Sequence, residues 1–288
     1  MRKIAMNMVG LELKERVNNV LFIFVTFLSL PIAAQTYGEL SDRAFQYVEA
    51  DSLAQAEELF RQALKLEPTN PHNALIFSNI GTLQWRMQRF DEAVESYTYA
   101  LNMSPYSIPV LLNRAAVYME QGLPNRAYVD YCQVLDIDRK NIEALLMRAY
   151  IYIKQRDYKA ARIDYDYLLE MNPQHYSARL GLAVLNRKEE KFREATDILE
   201  KLIAEYPAEA ELYMARAEVE LEMNLPDLAL IDLDRVIQMN PLSADAFLLR
   251  GQVNLVRNKK NLAKKDFEKA GTLGISQLEL REWVKQCR

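Results

Sequence analysis

The chain has 288 residues and a formal net charge of −4, and half of its residues are apolar while only 8 are glycine. This composition argues against a disordered chain and favours a helical protein with a continuous core. The mild acidity, without a stripe of aromatic and basic residues, argues against binding to nucleic acid.

Residues 1–34 have the order of a secretory signal peptide. Four basic residues come first, the apolar run 20–30 follows, and small residues precede Gln35. An apolar core of about 7–15 residues is typical of such a signal and is too short for an ordinary membrane span. We therefore expect cleavage after Ala34 and export to the periplasm or cell envelope of a bacterium. The alternative is a membrane-anchored protein whose N-terminal segment stays uncleaved.

Residues 37–70 carry the first copy of a 34-residue pattern. Apolar residues recur at helical spacing in two segments, namely Leu40, Ala44 and Tyr47, then Ala56, Phe60 and Ala63. The pattern predicts two amphipathic helices, the second of which is stopped by Pro68. Three inserted residues, 71–73, then break the phase and place His72 in a loop.

Six further units start at residues 74, 108, 142, 176, 210 and 244 and follow one another without gaps. One small residue recurs in strict phase as Ala93, Ala127, Ala161, Ala195, Ala229 and Ala263. A fixed period of this length indicates an array of stacked helix pairs, which here covers residues 37–277.

The chain ends in a short amphipathic segment, 278–288, with Leu280, Trp283 and Val284 on its apolar side. We expect a capping helix, because the last repeat of an array would otherwise leave its apolar face bare. From residue 251 onward nine basic side chains stand against four acidic ones, so this end of the chain is basic. Contact with an anionic membrane is compatible with that charge but is not required by it.

The repeated unit resembles the tetratricopeptide repeat family, which has small residues at positions 8, 20 and 27, aromatic residues at 11 and 24, and Pro at 32. Position 32 is Pro68, Pro105, Pro173, Pro207 and Pro241, with Arg139 and Ile275 departing. Position 11 is Tyr47, Tyr118 and Tyr152, but Gln84, Asn186, Glu220 and Asn254 in the other units. The resemblance implies an all-α, right-handed superhelical solenoid of about seven helix-turn-helix repeats whose concave face binds protein partners.

Charged residues at positions 7 and 23 of the unit occur together. The units starting at 74 and 176 lack both, and the other gap-free units have both: Arg114 with Asp130, Arg148 with Asp164, Arg216 with Asp232, and Arg250 with Asp266. This co-occurrence predicts an ion pair between the two helices of one repeat, which would specify geometry more than it adds stability. The alternative is a basic ladder that binds anionic ligands.

The sequence carries no recognisable catalytic or cofactor motif. His72 and His175 have no acidic or cysteine cluster beside them, so neither predicts a metal site. A Gly-rich phosphate loop and a metalloprotease motif are both absent from the sequence. Cys132 is predicted to lie in the core, and Cys287 is too many repeats away to pair with it. We predict a protein that is not an enzyme and needs no cofactor.

In the family that this unit resembles, the concave face is lined by first-helix positions 2, 5, 9, 12 and 13. Those positions supply the predicted partner-binding residues, an apolar stripe with a charged rim: Trp85, Leu112, Met119, Leu146, Tyr150, Ile153, Leu180, Val184, Arg187, Met214 and Leu221. Exposed apolar surface rimmed by charge suits an amphipathic helix or an extended apolar peptide. The alternative is that these side chains pack between adjacent first helices.

The predicted function is therefore a non-enzymatic scaffold or adaptor in the cell envelope, monomeric in isolation, which binds a protein or peptide partner. The alternative is a permanent structural subunit of an envelope or secretion complex that docks through its basic C-terminal end. Some members of the family clamp a C-terminal carboxylate with Lys and Asn. This chain has Ser78, Thr82, Leu112 and Ala116 at those positions, so that mode is not expected.

Overall fold

A computed structural model describes residues 35–287, and the predicted signal segment lies outside the described residues. Fifteen helices and no strand are found in this range. They are α1 (Tyr37–Glu49), α2 (Leu53–Leu66), α3 (Asn73–Arg86), α4 (Phe90–Met103), α5 (Ile108–Glu120), α6 (Pro124–Ile137), α7 (Ile142–Lys154), α8 (Tyr158–Met171), α9 (Tyr176–Lys188), α10 (Phe192–Glu205), α11 (Ala210–Glu222), α12 (Pro226–Met239), α13 (Ala244–Val256), α14 (Lys260–Thr272) and α15 (Gln277–Gln286).

The described residues form two compact units, 35–151 and 152–287. Within the first unit, each helix from α1 to α6 packs on the next one along the chain, and within the second unit the same holds from α8 to α15. First helices of successive repeats also touch, α3 with α5 in the first unit, and α9 with α11 and α11 with α13 in the second. The predicted all-α repeat solenoid is confirmed as the fold class.

The small residues of the unit allow the two helices of a repeat to approach closely. Each alanine at position 20, from Ala56 to Ala263, is completely buried. At position 8, a Cβ added to Gly81 would lie 2.9 Å from the ring of Tyr97, and one added to Gly251 would lie 2.5 Å from the ring of Phe267. Contacts that short do not occur between packed carbon atoms, so the aromatic ring at position 24 requires a small partner at position 8.

The turn inside every repeat uses a left-handed residue at position 15 of the unit. The residues there have φ between 56° and 72°, and they are Asp51, Gln88, Gly122, Arg156, Glu190, Asn224 and Asn258. Glycine, asparagine and aspartate adopt this conformation at low cost, whereas longer side chains clash with their own backbone. Gln88, Arg156 and Glu190 therefore hold a strained conformation, which the packing of the flanking helices maintains.

Helix α15 covers the last repeat. Leu280 is buried, and the ring of Trp283 stacks on that of Phe267 with 6.2 Å between their centroids. Ser276 caps the helix by accepting a hydrogen bond from the backbone N–H of Glu279. Leu280 and the half-buried Trp283 pack on Phe267, so α15 shields the apolar side of α14 from water. Within residues 35–287, no helix combines the length and the apolar character needed to cross a bilayer.

Candidate partner-binding surface

The eleven predicted partner-binding residues lie on the first helices, and none of them is fully exposed. Leu112, Leu146, Ile153 and Leu180 are between 2% and 9% exposed. The six that remain half-buried are Trp85, Met119, Tyr150, Val184, Met214 and Leu221. Leu112 and Leu180 fit the packing interpretation, because α5 touches α3 and α9 touches α11. The half-buried residues keep part of their side chains exposed to solvent.

In residues 35–151, the half-buried set is aromatic and sulfur-containing. Trp85 on α3 and Met119 on α5 both occupy position 12 of their repeats, and Tyr150 on α7 occupies position 9. On α3, the hydroxyl of Thr82 lies 2.9 Å from the hydroxyl of Tyr97 on α4, which is completely buried. This hydrogen bond joins α3, which carries Trp85, to α4.

In residues 152–287, Arg187 occupies the middle of the stripe and is only 6% exposed. Its Nη1 donates to Glu222 Oε1 at 2.6 Å, and its Nη2 lies 2.7 Å from Glu218 Oε2 as an ion pair that is not aligned as a hydrogen bond. Arg187 is on α9 and both carboxylates are on α11. The predicted partner-binding arginine therefore joins two neighbouring first helices and faces two acids of its own chain.

The predicted ion pairs between positions 7 and 23 are confirmed in three repeats. The guanidinium of Arg114 donates to both oxygens of Asp130 at 2.9 and 2.7 Å, and Arg216 and Arg250 hold Asp232 and Asp266 in the same two-pronged manner. The three aspartates are buried. The pair of Arg148 with Asp164 stays a prediction. Because these arginines hold acids of their own repeats, they do not form a basic ladder for an external anion.

Position 11 carries a polar contact that the sequence interpretation missed. Gln84, Asn186 and Asn254 replace the aromatic residue of the family pattern there, and all three are buried. Asn254 donates to Asp266 of its own repeat at 3.0 Å, whereas Asn186 accepts from Arg162 of the preceding repeat at 2.6 Å. The signal was visible as the departure from the aromatic pattern, since a buried amide needs a hydrogen-bond partner.

Gln84 belongs to a larger network that spans the first two repeats. Its Nε2 donates to Glu57 Oε1 at 2.9 Å, and its Oε1 accepts from Ser96 at 2.7 Å. Glu57 is buried and also receives Arg61 at 2.7 Å and Arg89 at 2.6 Å. This carboxylate replaces the missing aspartate of the second repeat, but it comes from α2 instead of α4.

Glu220 is the position 11 residue of the sixth repeat, and it is only 8% exposed. Burial, followed by the negative charge of Asp232, raises the pKa of Glu220 to about 7, while the positive charge of Arg216 opposes the shift. Its Oε1 is 3.9 Å from Arg216 Nε, and its Oε2 has no hydrogen-bond partner among the described residues. A carboxyl group in this setting favours its neutral form.

One of the two histidines caps a helix. His175 caps α9, because its Nδ1 accepts from the backbone N–H of Ala178 at 3.3 Å, and His72 is an exposed loop residue. Cys132 is half-buried with Arg148 Nη1 3.9 Å from its sulfur. Across residues 35–287 there is no group of three histidine, cysteine or acidic residues arranged to hold a metal ion.

Comparison with known proteins agrees with this architecture. A family model described as tetratricopeptide repeat matches residues 46–108 and 146–210. The crystal structure of a tetratricopeptide repeat protein from Parabacteroides merdae is 34% identical, with a TM-score of 0.81, over 88% of this chain and 99% of that one. The chain belongs to the tetratricopeptide repeat family. Proteins of this family are generally protein-interaction scaffolds, and their repeat fold is typically non-catalytic.

Two further similar proteins share less sequence with this chain or are matched over less of their own length. The human protein DnaJ homolog subfamily C member 7 is 34% identical over 77 residues, which are 26% of this chain and 16% of that protein. The chain thus spans about one sixth of the curated relatives it matches. PilW, a type IV pilus biogenesis factor, is 18% identical with a TM-score of 0.62 over 74% of this chain and 96% of that one. That likeness concerns the fold alone.

Proposed function

We propose that this tetratricopeptide repeat protein is a non-enzymatic scaffold of the cell envelope that binds a segment of a partner protein along its first helices. The observation that carries the proposal is the half-buried row Val184, Met214 and Leu221 on α9 and α11. Met214 and Leu221 pack against the buried cluster around Leu233 and, like Val184, keep part of their apolar surface exposed to solvent. Apolar surface fixed on rigid helices binds a partner without an ordering cost to the scaffold.

The envelope location belongs to the same proposal and rests on residues 1–34 alone. Their basic, apolar and small segments follow the order of a secretory signal. N-terminal sequencing of the protein purified from its host tests this point. A chain that starts at Gln35 supports export and cleavage, and a chain that keeps the segment in the membrane fraction supports an uncleaved anchor. Recovery of the full chain in the cytosol contradicts both.

The scaffold role is tested by chemical crosslinking in the native host followed by purification of the chain. Met214→Gln/Leu221→Gln makes the row polar while it preserves side-chain volume and helix propensity. We expect the variant to lose a partner that the unchanged chain captures. Leu228→Gln/Ile231→Gln is the matched control, because these two apolar residues are exposed on the second helix of the same repeat.

Circular dichroism and thermal melting show whether both variants keep the fold. If the row variant and the control recover the same partners as the unchanged chain, the row is internal packing and the proposal fails. The exposed lysines of the C-terminal repeat, Lys259, Lys260 and Lys264, would then carry the alternative of a permanently docked subunit. Reversing their charge should in that case release the protein from its complex.

A further inference from the structure

The first helices of residues 176–256 combine half-buried apolar side chains with an excess of carboxylates. Positions 2, 5, 9, 12 and 13 share one side of a helix, because they are separated by three, four, three and one residues. The apolar members on α9, α11 and α13 are Val184, Met214, Leu221, Leu248, Leu255 and Val256, the last of which is 54% exposed. We call this set of first-helix positions the acidic groove.

Acids outnumber bases among the charged members of the acidic groove. They are the acids Glu211, Glu218, Glu222 and Asp245, and the bases Arg187 and Lys188. Arg187 is buried against Glu218 and Glu222, whose side chains stay 30% and 41% exposed. Glu211 accepts a hydrogen bond from the hydroxyl of Tyr176, which is a neutral donor and leaves the negative charge in place. Asp245 is exposed.

The burial of Arg187 leaves the negative charges of Glu218 and Glu222 facing solvent. The arginine lies beneath the surface, whereas the two carboxylates that it holds remain open to solvent. Both cations of the acidic groove, Arg187 and Lys188, lie on α9, whereas its positions on α11 and α13 carry acids and no cation. An approaching ligand therefore meets an excess of carboxylates beside the apolar row on those two helices. Apolar walls strengthen the potential of such charges by excluding water.

We infer that the acidic groove takes a basic amphipathic segment, with apolar side chains at helical spacing and lysine or arginine on their flanks. This inference rests on the proposed scaffold function and adds the chemical class of the partner. The apolar row supplies the buried contact, and the carboxylates select against acidic or uncharged segments. An acidic segment would place like charges opposite Glu211, Glu222 and Asp245.

The test uses two synthetic peptides of about 18 residues, or about five helical turns, as probes. Both carry the same stripe of leucines, flanked by lysines in one peptide and by glutamates in the other. Fluorescence anisotropy with the full chain should show the lysine peptide binding at least about tenfold more tightly. The difference should shrink as salt is raised, because exposed charges are screened.

A matched pair of variants separates the groove from general attraction to an acidic protein. Glu211→Gln/Glu222→Gln/Asp245→Asn removes three negative charges but keeps acceptors for Tyr176 and Arg187. We expect it to weaken binding of the lysine peptide about tenfold and to flatten the salt dependence. Glu170→Gln/Glu194→Gln/Asp197→Asn removes three exposed charges from second helices and should leave binding unchanged.

The inference is overturned if the two peptides bind equally, if neither binds, or if the two triple variants weaken binding to the same extent. These results leave the scaffold function standing as long as Met214→Gln/Leu221→Gln still loses the native partner. Charge selectivity between the two peptides thus tests the inferred basic partner, and capture of the native partner tests the scaffold function.

Discussion

The repeats starting at residues 74 and 108 bury their polar groups in different ways. In the repeat at 108, Arg114 and Asp130 satisfy each other inside one helix pair. In the repeat at 74, Gln84 reaches out of its repeat to Glu57 on the preceding second helix. The same contrast is found within residues 152–287. Arg216 and Asp232 pair inside one repeat, whereas Asn186 is bound by Arg162 of the repeat before it.

This comparison separates two uses of a buried polar group. A pair that closes inside a repeat fixes the angle of its two helices, whereas a contact that leaves the repeat fixes one repeat on the next. The pair-bearing repeats also reach backward, from Arg114 to Thr98 and from Arg250 to Asp234, but each does so with one guanidinium nitrogen. In the network around Glu57, both oxygens of one carboxylate bind the next repeat, through Gln84 and Arg89.

The most damaging change should be the loss of an acid from a closed pair. Asp130→Ala leaves the half-buried guanidinium of Arg114 without its counter-charge, and we expect the free energy of unfolding to fall by about 3 kcal/mol. Urea denaturation followed by circular dichroism measures this loss. Arg114→Met/Asp130→Leu removes both charges and should stay within about 1 kcal/mol of the unchanged chain. A double variant as unstable as the single one would assign the effect to packing.

Glu220 offers a test by pH in a repeat that has a closed pair and an additional acid. In the folded chain its pKa is raised to about 7, so it keeps its proton between about pH 5 and 7 while the unfolded chain has released it. The folded state binds more protons in that window, and the free energy of unfolding should therefore fall as the pH rises through it. The loss should approach about 2 kcal/mol.

Glu220→Gln should remove this dependence, because an amide does not titrate, and should stabilise the chain at pH 8 relative to the unchanged protein. Thermal melts at pH 5, 6, 7 and 8 (about one unit apart) compare the two. Glu194→Gln on the exposed face of α10 is the control and should keep the slope. An unchanged slope in Glu220→Gln would assign the pH dependence to another group.

Removing the carboxylate that joins the first two repeats should cost less than breaking a closed pair. In Glu57→Ala, Arg61 and Arg89 can turn to water because their side chains are 44% and 38% exposed, and Gln84 alone loses a buried partner. We expect a loss of about 1–2 kcal/mol. Hydrogen exchange should place that loss in α1 and α2, which would open together while the helices from α5 onward stay protected. Uniform loss of protection would contradict a local joint.

The smallest effect should come from the turns, which both kinds of repeat share. Glu190 holds φ of 60° at a position where Gly122 has 72°. Glu190→Gly relieves the clash of the side chain with its backbone, and the net gain should be below about 1 kcal/mol because glycine has more freedom in the unfolded chain. The reverse change, Gly122→Glu, should destabilise by about 1 kcal/mol. Opposite signs in chemical denaturation confirm the turn geometry.

The sequence predicted the repeat fold because the 34-residue period places one small residue against one large side chain in each unit, an aromatic ring in five units and leucine in the other two. It also predicted the ion pairs, since Arg114 and Asp130 recur together while Ile80 and Ser96 lack both charges. Two residues that appear and vanish together, one on each helix, point to contact. The period and the co-occurrence are both properties that a single sequence displays.

The network around Glu57 could not be predicted in the same way, because no other repeat has an acid at that position. The left-handed turns were hidden as well, since Gln88, Arg156 and Glu190 are not residues that favour positive φ and only the packed helices impose it. The depth of Leu112 and Leu180 depends on how closely one first helix lies on the next, and that distance is not written in either helix alone.

The buried carboxylate Glu57 also limits how this array can grow by gene duplication. A copied repeat that carries its own Arg and Asp brings both halves of its internal bond, so it is complete wherever it is inserted. The repeat starting at 74 is not complete by itself, because Gln84 and Arg89 bind Glu57 on the helix before them. We expect lengthening by duplication only at repeats that close their own pair, and not at the repeat starting at 74 or at the one starting at 176, where Asn186 depends on Arg162.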